Sequence, residues 1–390
     1  MPTTLTWDPL DPAFLADPYP IYRELRERHP VHWHRTLESW VVSRYSHCLA
    51  VLENTDAFGA DPRKIGEDLP EPGGSIQTLD PPEQTVVRRM IVHAMRSLDL
   101  DEIVRTAWRR ADELVRAAEG REIDFVEAVS LPITTELTMT AVGAPDSAAH
   151  DFGEVSAVII RGMMSGLLPD GREAELAAAR RQLSTMLEQW WHGPAGGVLA
   201  ALRENPLAGK ADLRVLMNSV RVLLLAGINS TQRFVSLALY ALLARPGGLR
   251  SIAGTTDLKR LLHELIRFDG SAQVASRYCV KSTVLGEQRI EAGETVILLL
   301  GAANRDERRF GDAADLVPDR AANPHLGFGH GTHACVGISL ALAVGDGVLR
   351  ALAAHYPDMC LAPGAIRDPN PALRGFQRLP IAPGGRRERG

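Results

Sequence analysis

From residue 81 onward, apolar positions in this chain recur every three or four residues, the period of a helix with one buried face. The pattern predicts helices over 81–95, 101–118, 127–142, 148–164 and 173–191. A further helical stretch of more than thirty residues covers 210–244, and a shorter one 257–268. Ahead of them, 21–28 reads as a short helix and 32–42 as a two-stranded hairpin turning near Leu37 and Glu38. Short strands are expected around 273–278, 282–285 and 296–300, and a last long helix from near Cys335 to about His355. Segments 58–78 and 167–172 carry turn residues without periodicity and read as loops. Few, clustered strands among many helices exclude an alternating βα fold. The expected class is mainly α with minor β, with a small β-rich region near the N-terminus.

The 390 residues are 45% apolar and 23% charged, which is ordinary globular composition. A formal net charge of -5 argues against a dedicated nucleic-acid binder. No run approaches the roughly 20 apolar residues that a spanning helix needs, so no membrane segment is expected. The first residues lack the apolar stretch of a signal peptide. Cys48, Cys279, Cys335 and Cys360 are too scattered for a zinc site or a disulfide framework. A reducing, cytoplasmic setting follows as the expectation.

Chemistry concentrates in the segment 325–337, His-Leu-Gly-Phe-Gly-His-Gly-Thr-His-Ala-Cys-Val-Gly. Glycines at alternate positions allow tight turns and close backbone approach. Cys335 stands where this loop becomes a helix, where unpaired N–H groups stabilise a thiolate that can bind a metal or attack a substrate. A buried structural cysteine and a phosphate-binding loop are the competing readings. Glu264 and Arg267 lie three apart on one helix face, as many surface pairs do. Ala226-Gly-Ile-Asn-Ser-Thr231 interrupts the longest apolar helix with small and polar residues. It reads either as a packing glycine or as a groove where a ligand crosses.

In order along the chain come Asp80-Pro-Pro-Glu-Gln-Thr85 with Arg88-Arg89, then Ala226–Thr231, then Glu264-x-x-Arg267 and Arg277. Ala-Asn-Arg-Asp (303–306), Pro-Asp-Arg (318–320) and Phe328-Gly-x-Gly-x-x-x-Cys335-x-Gly337 follow. This order resembles the cytochrome P-450 family of haem-thiolate monooxygenases, in its soluble bacterial form, from Tyr19 to Pro380. The resemblance implies one domain over 1–390, a haem b, and Cys335 as the axial ligand to iron. It implies that Phe328 and Gly329 pack beside the sulfur, and that Arg88, Arg277 and His333 hold the haem propionates. Gln84 takes the place where many members carry histidine. Ala226 and Gly227 would pass over the haem. Glu264, Arg267 and Arg320 resemble the family's buried structural triad.

The sequence departs from the family where an acid–alcohol pair helps deliver protons. Asn229 stands at the acid position, Ser230 at the alcohol position, and Thr231 follows. Asparagine does not titrate, so Asn229 is expected to lower ordinary hydroxylation and favour specialised chemistry. By position, Gln273, Val274, Ala275 and Phe376 would line the substrate pocket, suiting an apolar or aromatic molecule with a hydrogen-bonding group. The resemblance implies O2 as co-substrate and electrons from NAD(P)H through a ferredoxin and its reductase. An atypical oxidase for coupling, ring formation or peroxide-driven oxidation is the alternative. A non-enzymatic haem sensor and a cysteine hydrolase using Cys335 and His333 stand behind it.

Overall fold

The computed structural model describes residues 7–69, 73–145, 148–164, 173–194, 196–255 and 257–387. The expected loop 167–172 lies outside them. Helices dominate and enclose one large apolar core. The expected helices are present at Tyr19–Arg28, Glu83–Arg96, Leu100–Arg116, Leu131–Val142, Ala149–Met164, Glu173–His192, Leu213–Leu243 and Leu258–Asp269. Each shifts by a few residues at its ends, as fraying and caps dictate. Asp212, for example, caps the longest helix by accepting from the N–H groups of Arg214 and Val215. Helix Leu131–Val142 is led in by a wide helical turn over Val126–Ser130. Four further helices among the described residues lie outside the sequence pattern: Tyr45–Glu53, Gly197–Arg203 and the short Pro12–Ala16 and Leu300–Ala303.

The main sheet has five strands, in the order Val31–His34, Ser39–Val42, Thr295–Leu299, Val274–Cys279 and Phe58–Gly59. The hairpin pairs Val31 with Val42 and His34 with Ser39. Its inner strand then runs parallel to Thr295–Leu299. The β-region therefore joins the N-terminal part to strands from the last third. The segment after Phe58 is also firmer than its composition suggested. Asp80 accepts from the N–H groups of Ala60 and Asp61 and pairs with Lys64 at 2.9 Å.

Two helices, Leu213–Leu243 and Ile338–His355, are long and apolar enough to cross a membrane, contrary to the expectation of none. Both are mostly buried, at 72% and 67% of their apolar windows, so their apolar surface serves this core. Ile338–His355 is pressed against helix Leu100–Arg116. A methyl group on Gly347 would lie 2.4 Å from the Val104 carbonyl oxygen, so only glycine permits this crossing. Gly345 does the same toward Phe234 of the long helix, where a methyl would lie 2.8 Å from the ring.

Candidate active site

Cys335 lies ahead of the last helix, which begins at Ile338. The loop before it is shaped by backbone bonds: Gly329 N–H donates to Leu326 O (2.8 Å), and Cys335 N–H to Phe328 O (2.8 Å). Gly329 (φ 68°) and Gly331 (φ 70°) adopt the left-handed conformation that other residues resist. The thiol accepts from Gly337 N–H at 3.3 Å. Cys335 is exposed, yet desolvation pushes its pKa up, against the opposing pull of Gly337 N–H and the Arg88 charge. The sulfur is thus reachable from solvent and at the same time largely surrounded by protein.

Arg88 donates to the carbonyl of Ala334, beside the cysteine, at 2.5 Å. Arg277 donates to its own neighbour, Ser276 O, at 2.7 Å. Neither makes an ion pair with a described residue, and burial pushes both pKa values down. Arg88 and Gln84 also line a cavity of about 830 Å³ that opens past Arg89, His93 and Arg96. Desolvated guanidinium groups without a carboxylate are costly unless an anion completes them. A reachable thiol with two such cations is a donor set that fits a haem: one sulfur for iron, two forks for carboxylates.

His333 and Gln84 do not offer themselves to a propionate here. His333 Nε2 meets Asp80 Oδ1 at 2.8 Å, and its Nδ1 faces Gln84 Nε2 at 3.5 Å. Both ring nitrogens are occupied, and Gln84 also reaches Thr332 O at 3.4 Å. Burial would raise the Asp80 pKa, but His333, Lys64 and two backbone N–H groups outweigh it and hold the carboxyl well below the usual range. The same occupancy leaves His333 no nitrogen to activate Cys335, which removes the hydrolase geometry.

On the long helix, Ala226 is exposed and Ser230 partly so, although most of the helix is buried. Four apart, they share one face. Gly227 does not belong to that face in the way expected. A methyl on it would lie 3.1 Å from Thr138 Cγ2, so its smallness serves the crossing with helix Leu131–Val142. Thr231, four residues later, is buried on that packed side. Asn229 is buried too, and its Oδ1 accepts from Arg233 Nε at 2.9 Å. The sequence motifs do not single out Arg233; a charge set within the long, largely apolar helix 213–243 is the signal that marks it.

The expected triad assembles. Glu264 takes both forks of Arg267 (2.7 and 2.8 Å) and Arg320 Nε (3.0 Å), plus Val317 N–H and Asn323. Two of the four expected pocket residues do not line a pocket. Gln273 is 2% exposed and donates to Gly270 O at 2.7 Å. Its amide oxygen fills the space above Gly301, where a methyl would lie 2.0 Å away. Phe376 is 3% exposed, between the Tyr240 ring (5.0 Å) and the Arg367 guanidinium (4.0 Å). Val274 and Ala275 are partly buried against the two smaller apolar clusters beside the sheet.

The family model for cytochrome P450 matches residues 256–344. Cytochrome P450 monooxygenase PikC of Streptomyces venezuelae is 31% identical over 97% of this chain and 94% of its own length. The 6-deoxyerythronolide B hydroxylase of Saccharopolyspora erythraea is 27% identical over 95% of this chain and 96% of its own. The ligand-free crystal structure of CYP164A2 from Mycobacterium smegmatis is 27% identical. It covers 96% of this chain and 98% of its own, with a TM-score of 0.83. With these relatives spanning nearly its whole length, the chain belongs to the cytochrome P450 family, of bacterial type, and is a haem-thiolate oxidoreductase.

Proposed function

We propose that this protein is a monooxygenase that oxidises a small-to-medium apolar or aromatic molecule, as a tailoring step of secondary metabolism. The observation that carries the site is the reachable but desolvated Cys335 with Arg88 on the neighbouring Ala334 carbonyl, and the buried Arg277, neither guanidinium in an ion pair with a described residue. The printed activities of the two relatives, a monooxygenase and a hydroxylase, support the reaction class. Cys335 would hold the iron of a haem b through its thiolate, and Arg88 and Arg277 would neutralise the haem carboxylates. When bound, that group would supply O2 activation, to which the Cys335 thiolate would lend electron density.

The chain's own residues do the rest. Phe328 and Gly329 shape the loop that holds the sulfur. Ala226, small and exposed, would leave room beside the haem, and the partly exposed Ser230 would present a hydroxyl that can donate or accept there. Val274 and Ala275 flank the substrate's path. Glu264, Arg267 and Arg320 hold the segment 304–323 that leads into the cysteine loop. Electrons come from NAD(P)H through a ferredoxin and its reductase, and the exposed Arg89 and Arg96 beside the cavity suit an acidic partner. A cytoplasmic setting goes with this reading.

A second reading keeps the site and changes the outcome: coupling, ring formation or peroxide-driven oxidation. It rests on Asn229, a non-titrating amide at the acid position. The test is an optical titration of haem-supplemented protein with aromatic, terpenoid and macrocyclic compounds, followed by turnover with a ferredoxin system and with peroxide alone. A low-to-high-spin Soret shift and partner-driven turnover are expected. No Soret band with Cys335 intact would overturn the reading. Equal rates with peroxide alone would favour the second.

A further inference from the structure

Four arginines and two aspartates line a second cavity, of about 520 Å³, an excess of two positive charges. It shares no lining residue with the donor set around Cys335. Parts of the chain remote in sequence meet there. Tyr19 and Arg23 belong to helix Tyr19–Arg28, and Asp269 ends helix Leu258–Asp269. Arg305 follows Leu300–Ala303, Arg367 ends the strand Ile366–Arg367, and Arg374 precedes the strand Phe376–Arg378.

Asp269 does not balance these cations. Its Oδ1 accepts from the Tyr19 hydroxyl (2.6 Å) and from Arg374 Nε (2.7 Å). Arg374 donates its other two nitrogens to the carbonyls of Leu15 and Ala16, both at 2.9 Å. Arg367 meets Asp269 Oδ2 only at 3.9 Å, and its Nη1 is buried with no hydrogen-bond partner. Arg305, itself buried, gives Nε to Phe268 O (2.7 Å) and Nη1 to Ala314 O (2.9 Å), which leaves Nη2 without a described partner. Arg23 lies 3.9 Å from Glu307, which Arg26 already holds at 2.9 Å. The second aspartate, Asp17, is exposed.

The guanidinium planes are held by aromatic rings. Arg305 lies between Tyr19 and Phe268, 3.9 Å from each centroid, and Arg367 lies 4.0 Å from that of Phe376. Stacking fixes the plane and leaves the edge donors to a ligand. Desolvation pushes the pKa values of both arginines down, as it does for cations short of counter-charge. Such groups are costly unless an anion completes them.

We infer that this cavity binds a phosphate dianion, free or as the head of an organic phosphomonoester, with Arg305 and Arg367 as its donors and Arg23 beside them. Its charge matches the excess, and its oxygens accept from guanidinium edges that reach it from different parts of the chain. A carboxylate brings one charge and leaves half the excess unmet. The inference does not rest on the substrate reading, since the cavity shares no residue with that site.

The experiment is calorimetry on the haem-loaded protein at about pH 7.5, where a phosphomonoester carries close to two charges. The probes are inorganic phosphate, phenyl phosphate and the singly charged phenyl sulfate. Phenyl phosphate is expected to saturate one site with a Kd of about 1 mM or tighter, and phenyl sulfate to bind at least about tenfold more weakly. Equal affinity for inorganic and phenyl phosphate supports free phosphate as the occupant; tighter binding of phenyl phosphate supports an organic monoester. Arg367→Gln should weaken phosphate binding about tenfold or more with the Soret band kept, because this arginine has no close ion pair to lose. Arg105→Gln, on an exposed helix face, should leave binding unchanged. If Arg367→Gln loses its haem, Arg23→Gln decides, with an expected loss of about threefold. No saturable binding to the native protein, equal binding of phenyl sulfate, or native affinity in the deciding variant would overturn the inference.

Discussion

His325 donates its Nε2 hydrogen to His263 Nδ1 across 3.0 Å, directly behind the cysteine loop. The direction follows from Gly327, whose N–H donates to His325 Nδ1 at 3.1 Å and so leaves the hydrogen on Nε2. Desolvation, then His263 and Arg267, push the pKa of His325 down to about 3, and burial lowers His263 too. Both rings are neutral in the fold at pH 7.

This pair makes the protein acid-sensitive. Below about pH 6.5 the unfolded chain binds protons that the folded pair refuses, so stability falls as pH drops toward about 3. His325→Gln should flatten the stability profile between pH 6.5 and 5 by up to about 1.4 kcal/mol per pH unit. Urea unfolding across that range reads it. A variant with the native slope would show that the acid sensitivity lies elsewhere.

Glu264→Gln should be among the most damaging single changes. It leaves Arg267, buried and bonded to the carbonyls of Asn304, Ala313 and Asp315, without its counter-charge, and Arg320 with it. A loss of about 3–5 kcal/mol is expected, read from the urea midpoint. A loss under about 1 kcal/mol would mean that the network is dispensable.

Arg277→Gln separates haem retention from folding. Without haem, Arg277 is a desolvated cation with no ion pair to a described residue and only the longer-range attraction of Asp80, so its removal should leave apoprotein stability little changed. With haem, loss of one charge-assisted bond should speed haem transfer to a scavenging apoprotein by about ten- to a hundredfold. Equal transfer rates for native and variant protein would remove Arg277 from the haem site.

Phe376→Ala tests the correction to the pocket lining. A side chain packed between Tyr240 and Arg367 should cost about 3–5 kcal/mol when truncated, by cavity formation. The affinity for any compound that shifts the Soret band of the native protein should not change. A stable variant with altered ligand affinity would return Phe376 to the pocket.

The sequence by itself determined the helical class, the long helix over 213–243, and the order of motifs that identifies the family. These are local: hydrophobic period, caps and spacing act within a few turns of chain. It also determined that Glu264 and Arg267 share a helix face, because three residues nearly complete a turn. Only tertiary structure decided which groups those faces meet. It brought Arg320 and Asn323 onto Glu264, and gave Asp80 to His333 across some 250 residues of chain. It turned Gly227 toward Thr138 and buried Gln273 and Phe376, because a strand or helix has several sides and only packing selects the one facing a recess. It joined Asn229 to Asp368 through Arg233, a relation that no spacing within the long helix could contain, since its last member arrives from a strand connection 135 residues beyond the arginine.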